Sequence, residues 1–286
     1  MIGVFDSGHG GLTVLRSFVD QLPTESFLYF GDHAAAPYGP RSSAEIVDLT
    51  RCAVDHLFNQ GCRLVILACN TASAVSLRTL QQEWLPKAWP GRRILGVLVP
   101  TVEAITNVPW HIKRVPLLAE QRPRTVGIFA TQRTVDSNAY VEEVLKRAPS
   151  IRILQQACPE LAALIEAGAD PVVVRPAIAG YVANLRGNLN GDNLEAVILG
   201  CTHYPLVAPI FRDMLPADTL LLSQPAVTAR GLKAYLHRRP EFRSTQKSCR
   251  KFITTGDPKR VTALARRFFG EEVEFEAVID SYKMAL

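Results

Sequence analysis

No apolar run in this 286-residue chain is long enough to span a bilayer. Its first residues carry no basic region and enter a strand-like segment at once, so no signal peptide is expected. Charge of one sign is also missing. The 32 Lys and Arg against 27 Asp and Glu leave a net charge of +5, which slightly favours an anionic small molecule and is no nucleic-acid signature. The six cysteines follow no disulfide spacing, so the thiols are expected to stay reduced, in a cytoplasm. Cys and His pairs at zinc-site spacing are absent, and so is any low-complexity tract. One glycine-rich loop exists, Asp6-Ser7-Gly8-His9-Gly10-Gly11, but it has neither the glycine spacing of a dinucleotide fingerprint nor the lysine of a P-loop.

The chain does have a repeat. Val65-Ile66-Leu67-Ala68-Cys69-Asn70-Thr71 matches Val197-Ile198-Leu199-Gly200-Cys201-Thr202-His203. Upstream of each, Ile2-Gly3-Val4-Phe5-Asp6-Ser7 resembles Val126-Gly127-Ile128-Phe129-Ala130-Thr131. Two related halves therefore each deliver one cysteine at a strand end. Two thiols facing each other suit removal of a proton from one face of a carbon and return to the other. A chain of this length is also near the size at which one core becomes two.

Strand-like runs at 2–5, 27–31, 63–68, 94–99, 125–129, 151–155, 196–200, 219–222, 251–254 and 273–276 alternate with helical patterns, among them one over 134–147. Ser43, Asp170 and Asp257 stand where helix caps belong, the last two before Pro171 and Pro258. The alternation predicts an α/β fold of two pseudo-symmetric lobes, each a mainly parallel sheet flanked by helices, with the active site in the cleft between them. Ligands of such sheets sit at the carboxyl ends of strands, where Asp6, Asp32, Cys69, Thr131 and Cys201 fall. Thr106 to Arg124, punctuated by Pro109, Pro116 and Pro123, reads as a loop or broken helix near a lobe boundary.

The glycine loop reads either as a tight turn or as a loop whose N–H groups approach an anion. A lone cysteine after a strand is usually buried structure. Here both copies of the repeat retain it, and a thiolate needs local help at neutral pH. Asp6 and His203 are the candidate helpers for Cys69 and Cys201. A Cys-His hydrolase would leave one of the two cysteines without a role. Pro37-Tyr38-Gly39 and Thr131 to Thr134 are candidate substrate holders, although Tyr38 also reads as lobe-edge packing and Thr134 as a helix cap. Glu166, on a helical stretch after Cys158-Pro159, reads from the sequence alone as a solvated helix residue. The basic cluster Arg238, Arg239, Arg243, Lys247, Arg250 and Lys251 reads as a solvated loop, since it lacks aromatic interleaving.

Asp-Ser-Gly-x-Gly-Gly-Leu at 6–12, Gly-Asp at 31–32, Pro-Tyr-Gly at 37–39, Cys-Asn-Thr-Ala at 69–72, Ala-Thr-x-x-Thr-Val at 130–135, Cys-Pro at 158–159 with Glu166, Gly-Cys-Thr-His-Tyr-Pro-Leu at 200–206 and Thr-Gly-Asp-Pro at 255–258 together resemble glutamate racemase, within the aspartate and glutamate racemases. The resemblance covers nearly the whole chain. It implies a glutamate racemase that needs no cofactor or metal and supplies D-glutamate for peptidoglycan, the alternatives being a racemase for aspartate or another acidic amino acid and a non-catalytic two-lobe protein that binds an anion. It further implies that Cys69 deprotonates D-glutamate with help from Asp6, and Cys201 deprotonates L-glutamate with help from His203 and Glu166. Ser7, Pro37, Tyr38, Gly39, Asn70, Thr71, Thr131, Thr134 and Thr202 would line the substrate. A homodimer and activation by a cell-wall precursor are implied as well. Some members of the family bind DNA gyrase, but the basic cluster is a poor basis for expecting this here. The family fold implies a first lobe of residues 1–97 and 206–286, with 98–205 inserted as the second. Three departures stand out, the first being His9 at the variable position of the glycine loop. His33-Ala34-Ala35-Ala36 replaces the family's Thr or Ser followed by Ala-Arg, removing a basic residue near the site entrance, and 106–124 is longer than the family norm.

Overall fold

The computed structural model describes residues 1–110, 122–244 and 247–278. Two parallel sheets organise it. The first contains β1 (Ile2–Asp6), β2 (Phe27–Gly31), β3 (Leu64–Leu67), β4 (Arg93–Gly96), β9 (Arg250–Thr254) and β10 (Glu276–Ala277), in the order β10-β9-β2-β1-β3-β4. The second contains β5 (Arg124–Ala130), β6 (Ile151–Ala157), β7 (Leu194–Gly200) and β8 (Leu220–Leu222), in the order β6-β5-β7-β8. Every paired neighbour runs parallel. The orders β2-β1-β3-β4 and β6-β5-β7-β8 are equivalent, as the sequence repeat requires, and the first sheet adds β9 and β10 beyond β2.

The continuous apolar runs of β1, β2 and β3 are buried throughout, because helices cover both faces of the sheet. On one face α1 (Leu12–Gln21), α11 (Gln224–Arg238) and α12 (Pro258–Phe269) enclose a core that includes Leu15, Phe18, Leu232 and Phe268. On the other, α2 (Ser43–Asn59) and α3 (Asn70–Thr79) pack over Phe5, Phe30 and Leu67. The second sheet is sandwiched likewise. One side carries α8 (Leu161–Glu166), α9 (Pro171–Gly187) and α10 (Ala208–Met214), and the other α5 (Leu98–Thr106) and α7 (Ala139–Leu145). Asp170 and Asp257 cap α9 and α12 as expected, each before a proline. Among the described residues no helix is long and apolar enough to cross a membrane.

Four expectations need correction. The cap of α2 is Ser42 rather than Ser43, and it forms a capping box with Glu45. The run 94–99 is strand only as far as Gly96, after which α5 begins at Leu98. One helix over 134–147 is two, α6 (Gln132–Asp136) and α7, separated at Asn138 with φ of 53°. The return to the first lobe at residue 206 comes too early, because β8 pairs beside β7 in the second sheet. Its three leucines give little burial signal, Leu220 being exposed. The first-lobe core is rejoined by α11, through Ala229, Leu232 and Leu236. Most of the irregular stretch 106–124 lies outside the described residues.

Candidate active site

In each sheet the strand order reverses at the first strand of the repeat, β1 or β5, and a crevice opens at the carboxyl end. Cys69 follows β3, beside β1, and Cys201 follows β7, beside β5. The two thiols thus occupy equivalent switch points. They are 5 % and 6 % exposed, and Cys201 is close enough to act electrostatically on Cys69.

Asp6 ends β1 and is fully buried. Its Oδ1 accepts from the N–H of Gly8 at 2.9 Å and its Oδ2 from the Thr202 hydroxyl at 3.3 Å. Burial pushes its carboxyl up to about 6, against the opposing pull of His203 and the N–H groups of Gly8 and Gly11. The glycines of the loop make room for this arrangement. A Cβ on Gly11 would lie 2.8 Å from Asp6 Cγ, and one on Gly10 would lie 2.5 Å from His203 Nδ1. Gly10 is therefore the position at which the loop touches the Cys-Thr-His turn of the other lobe.

Cys69 caps α3, its Sγ accepting from the N–H of Ala72 at 3.5 Å, with Ser7 Oγ at 3.6 Å. Burial, reinforced by the Asp6 charge, pushes this thiol up to about 12. Cys201 Sγ lies 3.9 Å from His203 Nδ1. His203 Nε2 meets Glu166 Oε2, and the other oxygen of that carboxylate meets His9 Nδ1. Burial opposes charge on His203, but its bonds to Cys201 and Glu166 prevail and push it up to about 10. Burial also opposes charge on Glu166, yet the two imidazoles hold it well below the usual carboxylate range. Glu166 is thus no solvated helix residue, because α8 turns its last position into the cleft.

The remaining predicted residues converge around these groups. The hydroxyls of Thr71, Thr131 and Thr134 form a triangle between the lobes, with edges of 3.0, 3.0 and 3.4 Å. Thr131, not Thr134, caps α6. Gly39 faces Thr131, at 3.7 Å from a notional Cβ. Tyr38 is buried, and its hydroxyl donates to Asp32 Oδ2 at 2.7 Å while Thr255 donates to Oδ1 at 2.7 Å. Asn70 is drawn into a buried network rather than left facing the cleft. Its amide donates to Gln224 Oε1 at 2.7 Å, and its Oδ1 accepts from Tyr140 at 2.7 Å and Gln224 at 2.9 Å. Gln224 also donates to Thr101 at 3.1 Å. A cavity of about 710 Å³ opens over the pair Glu166 and His203, bordered by Ser7, Gly8, Pro37 and Arg260.

Gln224, Tyr140 and Thr101 carry no motif, so nothing marks them in the sequence, and Thr255 is marked only as the first residue of Thr-Gly-Asp-Pro. His9 was visible only as the variable position of the glycine loop. His33, in the departure from the family pattern, packs its ring 4.3 Å from His9 and bonds through Nδ1 to Thr254 at 2.8 Å. Burial, and then the nearby His9, press its pKa down to about 4.

This paired-switch-point geometry has known counterparts. The model of the Asp/Glu/Hydantoin racemase family matches residues 2–229. The chain belongs to that family. It is 45 % identical over 285 residues to the glutamate racemase of Phenylobacterium zucineum, covering 96 % of this chain and 99 % of that one. It superposes on the crystal structure of a glutamate racemase isoform from Bacillus anthracis with a TM-score of 0.84, at 29 % identity and 97 % coverage of both chains. It also superposes on the Francisella tularensis glutamate racemase in complex with D-glutamate, with a TM-score of 0.82, 29 % identity, and 97 % and 96 % coverage.

Asp6→Asn separates stability from chemistry. An ionised Asp6 is costly in the fold, because its folded pKa of about 6 lies well above that of an ordinary aspartate. That cost is fully present above pH 6, shrinks as pH falls through 6, and is gone below the ordinary value. The stability of Asp6→Asn relative to the parent protein is therefore expected to rise by on the order of 3 kcal/mol between pH 4 and pH 8, whatever constant cost the amide adds in lost hydrogen bonds. Thermal unfolding across that range checks the sign.

Proposed function

We propose that the protein interconverts L- and D-glutamate by a two-base mechanism without a cofactor. The observation that carries this is one buried cysteine at the same switch point of each sheet, each with its own proton-handling partners. In this reading the Cys201 thiolate removes the α-proton of L-glutamate. The Cys69 thiol then donates its proton to the opposite face of the planar carbon, giving D-glutamate. The reverse reaction exchanges the roles. A thiol held protonated by burial and by Asp6 suits the donor at Cys69, and His203, held by Glu166, suits the proton carrier beside Cys201.

The substrate's carboxylates would be met by Ser7, Thr71, Thr131, Thr134 and Thr202, by the backbone of Tyr38 and Gly39, and by N–H groups at the start of α3 around Asn70. Pro37 would shape that edge. Closure of the lobes would exclude water from the carbanionic carbon, which strengthens each of these interactions. The product would serve peptidoglycan synthesis. Self-association and activation by a cell-wall precursor belong to the same proposal, and light scattering and assays with and without such a precursor test them.

The direct test is circular dichroism of the purified protein acting on L-glutamate, D-glutamate and both enantiomers of aspartate. Racemisation of glutamate in both directions, with aspartate at least tenfold slower, supports the reading. Preference for aspartate, or no interconversion, overturns it.

A further inference from the structure

We propose that His9 is a positioning residue that acts through Glu166, anchoring the Cys201 side of the site to the opposite lobe; the inference rests on the two-cysteine reading above. His9 lies between two glycines in the loop from β1 to α1, yet it is only 3 % exposed. Its ring stacks on Phe268 at 5.4 Å, and the same Phe268 meets His203 edge-on at 5.4 Å. One aromatic residue of α12 therefore supports both imidazoles that hold Glu166.

The hydrogens on His9 can be assigned from its partners. Nε2 lies 2.9 Å from the carbonyl oxygen of Val261, which can only accept, so Nε2 carries a hydrogen. Nδ1 faces Glu166 Oε1. An ionised carboxylate can only accept and a bare imidazole nitrogen can only accept, so this contact must hold a further proton, on whichever partner. His9 thus grips one oxygen of Glu166 from the first lobe while His203 holds the other from the second. Glu166 is one-third exposed at the end of a short helix and borders the open cavity. Without His9 its carboxylate is free to rotate towards solvent and to release His203 from its orientation beside Cys201.

Two near-isosteric substitutions divide the two functions of the ring. His9→Asn sets an amide nitrogen near the position of Nδ1, retaining the bond to Glu166 and losing Val261. His9→Gln sets it near Nε2, retaining Val261 and losing Glu166. Because enantiomers are equal in free energy, kcat/KM must stay equal in the two directions for every variant. Asymmetry is therefore read in kcat and in the α-deuterium isotope effect. His9→Gln is expected to lower kcat on L-glutamate roughly ten- to a hundredfold, with a larger isotope effect on L-glutamate than on D-glutamate. His9→Asn should recover at least half of that loss on a logarithmic scale, and in a Glu166→Gln background His9→Gln should add less than threefold.

The opposite order, with Gln more active than Asn, would assign His9 to packing against Val261 and overturn the inference. So would equal isotope effects for the two enantiomers, or full additivity with Glu166→Gln. Wild-type protein that fails to racemise would overturn the function itself and this inference with it. A racemising wild type with indifferent variants would overturn the role of His9 alone. Thermal unfolding of each variant separates misfolding from either outcome, and if His9→Gln does not fold, the isotope asymmetry of Glu166→Gln against that of His9→Asn decides.

Discussion

Cys69→Ala and Cys201→Ala are each expected to lower racemisation by about four orders of magnitude or more, and the double substitution little further. The thiols serve opposite faces of one carbon, so neither can take over from the other. Both side chains are small and buried, at 5 % and 6 % exposure, and alanine removes a single heavy atom from each core. The folded structure should therefore survive. Because Cys69 is the cap of α3, its substitution should cost about 1 kcal/mol of stability, which unfolding measurements can read apart from rate. Either single variant retaining near wild-type turnover in both directions would refute the assignment of one base to each face.

Gly10→Ala is expected to lower the rate roughly a hundredfold, for a steric reason. The added Cβ would lie 2.5 Å from Nδ1 of His203, the nitrogen that faces Cys201. Glycine is needed here for close approach between the lobes and not for an unusual backbone angle. Relief requires either the Cys-Thr-His turn or the β1–α1 loop to shift, costing about 1–3 kcal/mol of stability. A displacement near 1 Å of a proton-carrying group costs roughly a hundredfold in rate. Gly180→Ala, on the exposed side of α9, is the control, because a Cβ there meets nothing within 4 Å. Equal rates for the two variants would show that the close approach of Gly10 to His203 does not hold the proton-carrying group in place.

Much of this architecture is legible in the sequence. A fully buried parallel strand reads as a continuous apolar run, so β1, β2, β5 and β7 stand out, and Asp170-Pro171 and Asp257-Pro258 announce their helices in the same way. The repeat places Cys69 and Cys201 at equivalent strand ends, because equivalent strands fix equivalent ends. α5 was hidden because Leu95 to Val99 is apolar without period, and the strand-like run masks the helix start. β8 falls short as a lobe marker because three leucines on an edge carry little pattern. Glu166, His9 and Gln224 were the hardest to place. Each is ordinary in its own helix or loop, and each acquires its role from a partner more than 30 residues away in the chain. Contacts of that kind are set by tertiary packing within and between the lobes, which no local pattern encodes.

Isotope labelling tests the two-base claim most directly. L-glutamate is incubated with the protein in heavy water, and both enantiomers are analysed by mass spectrometry at low conversion. If Cys201 removes the proton and a solvent-equilibrated Cys69 supplies another to the opposite face, the newly formed D-glutamate carries α-deuterium from the first turnover while recovered L-glutamate remains protiated. Comparable deuterium in recovered L-glutamate and new D-glutamate would mean that a single base serves both faces, and would contradict the account built on the paired cysteines.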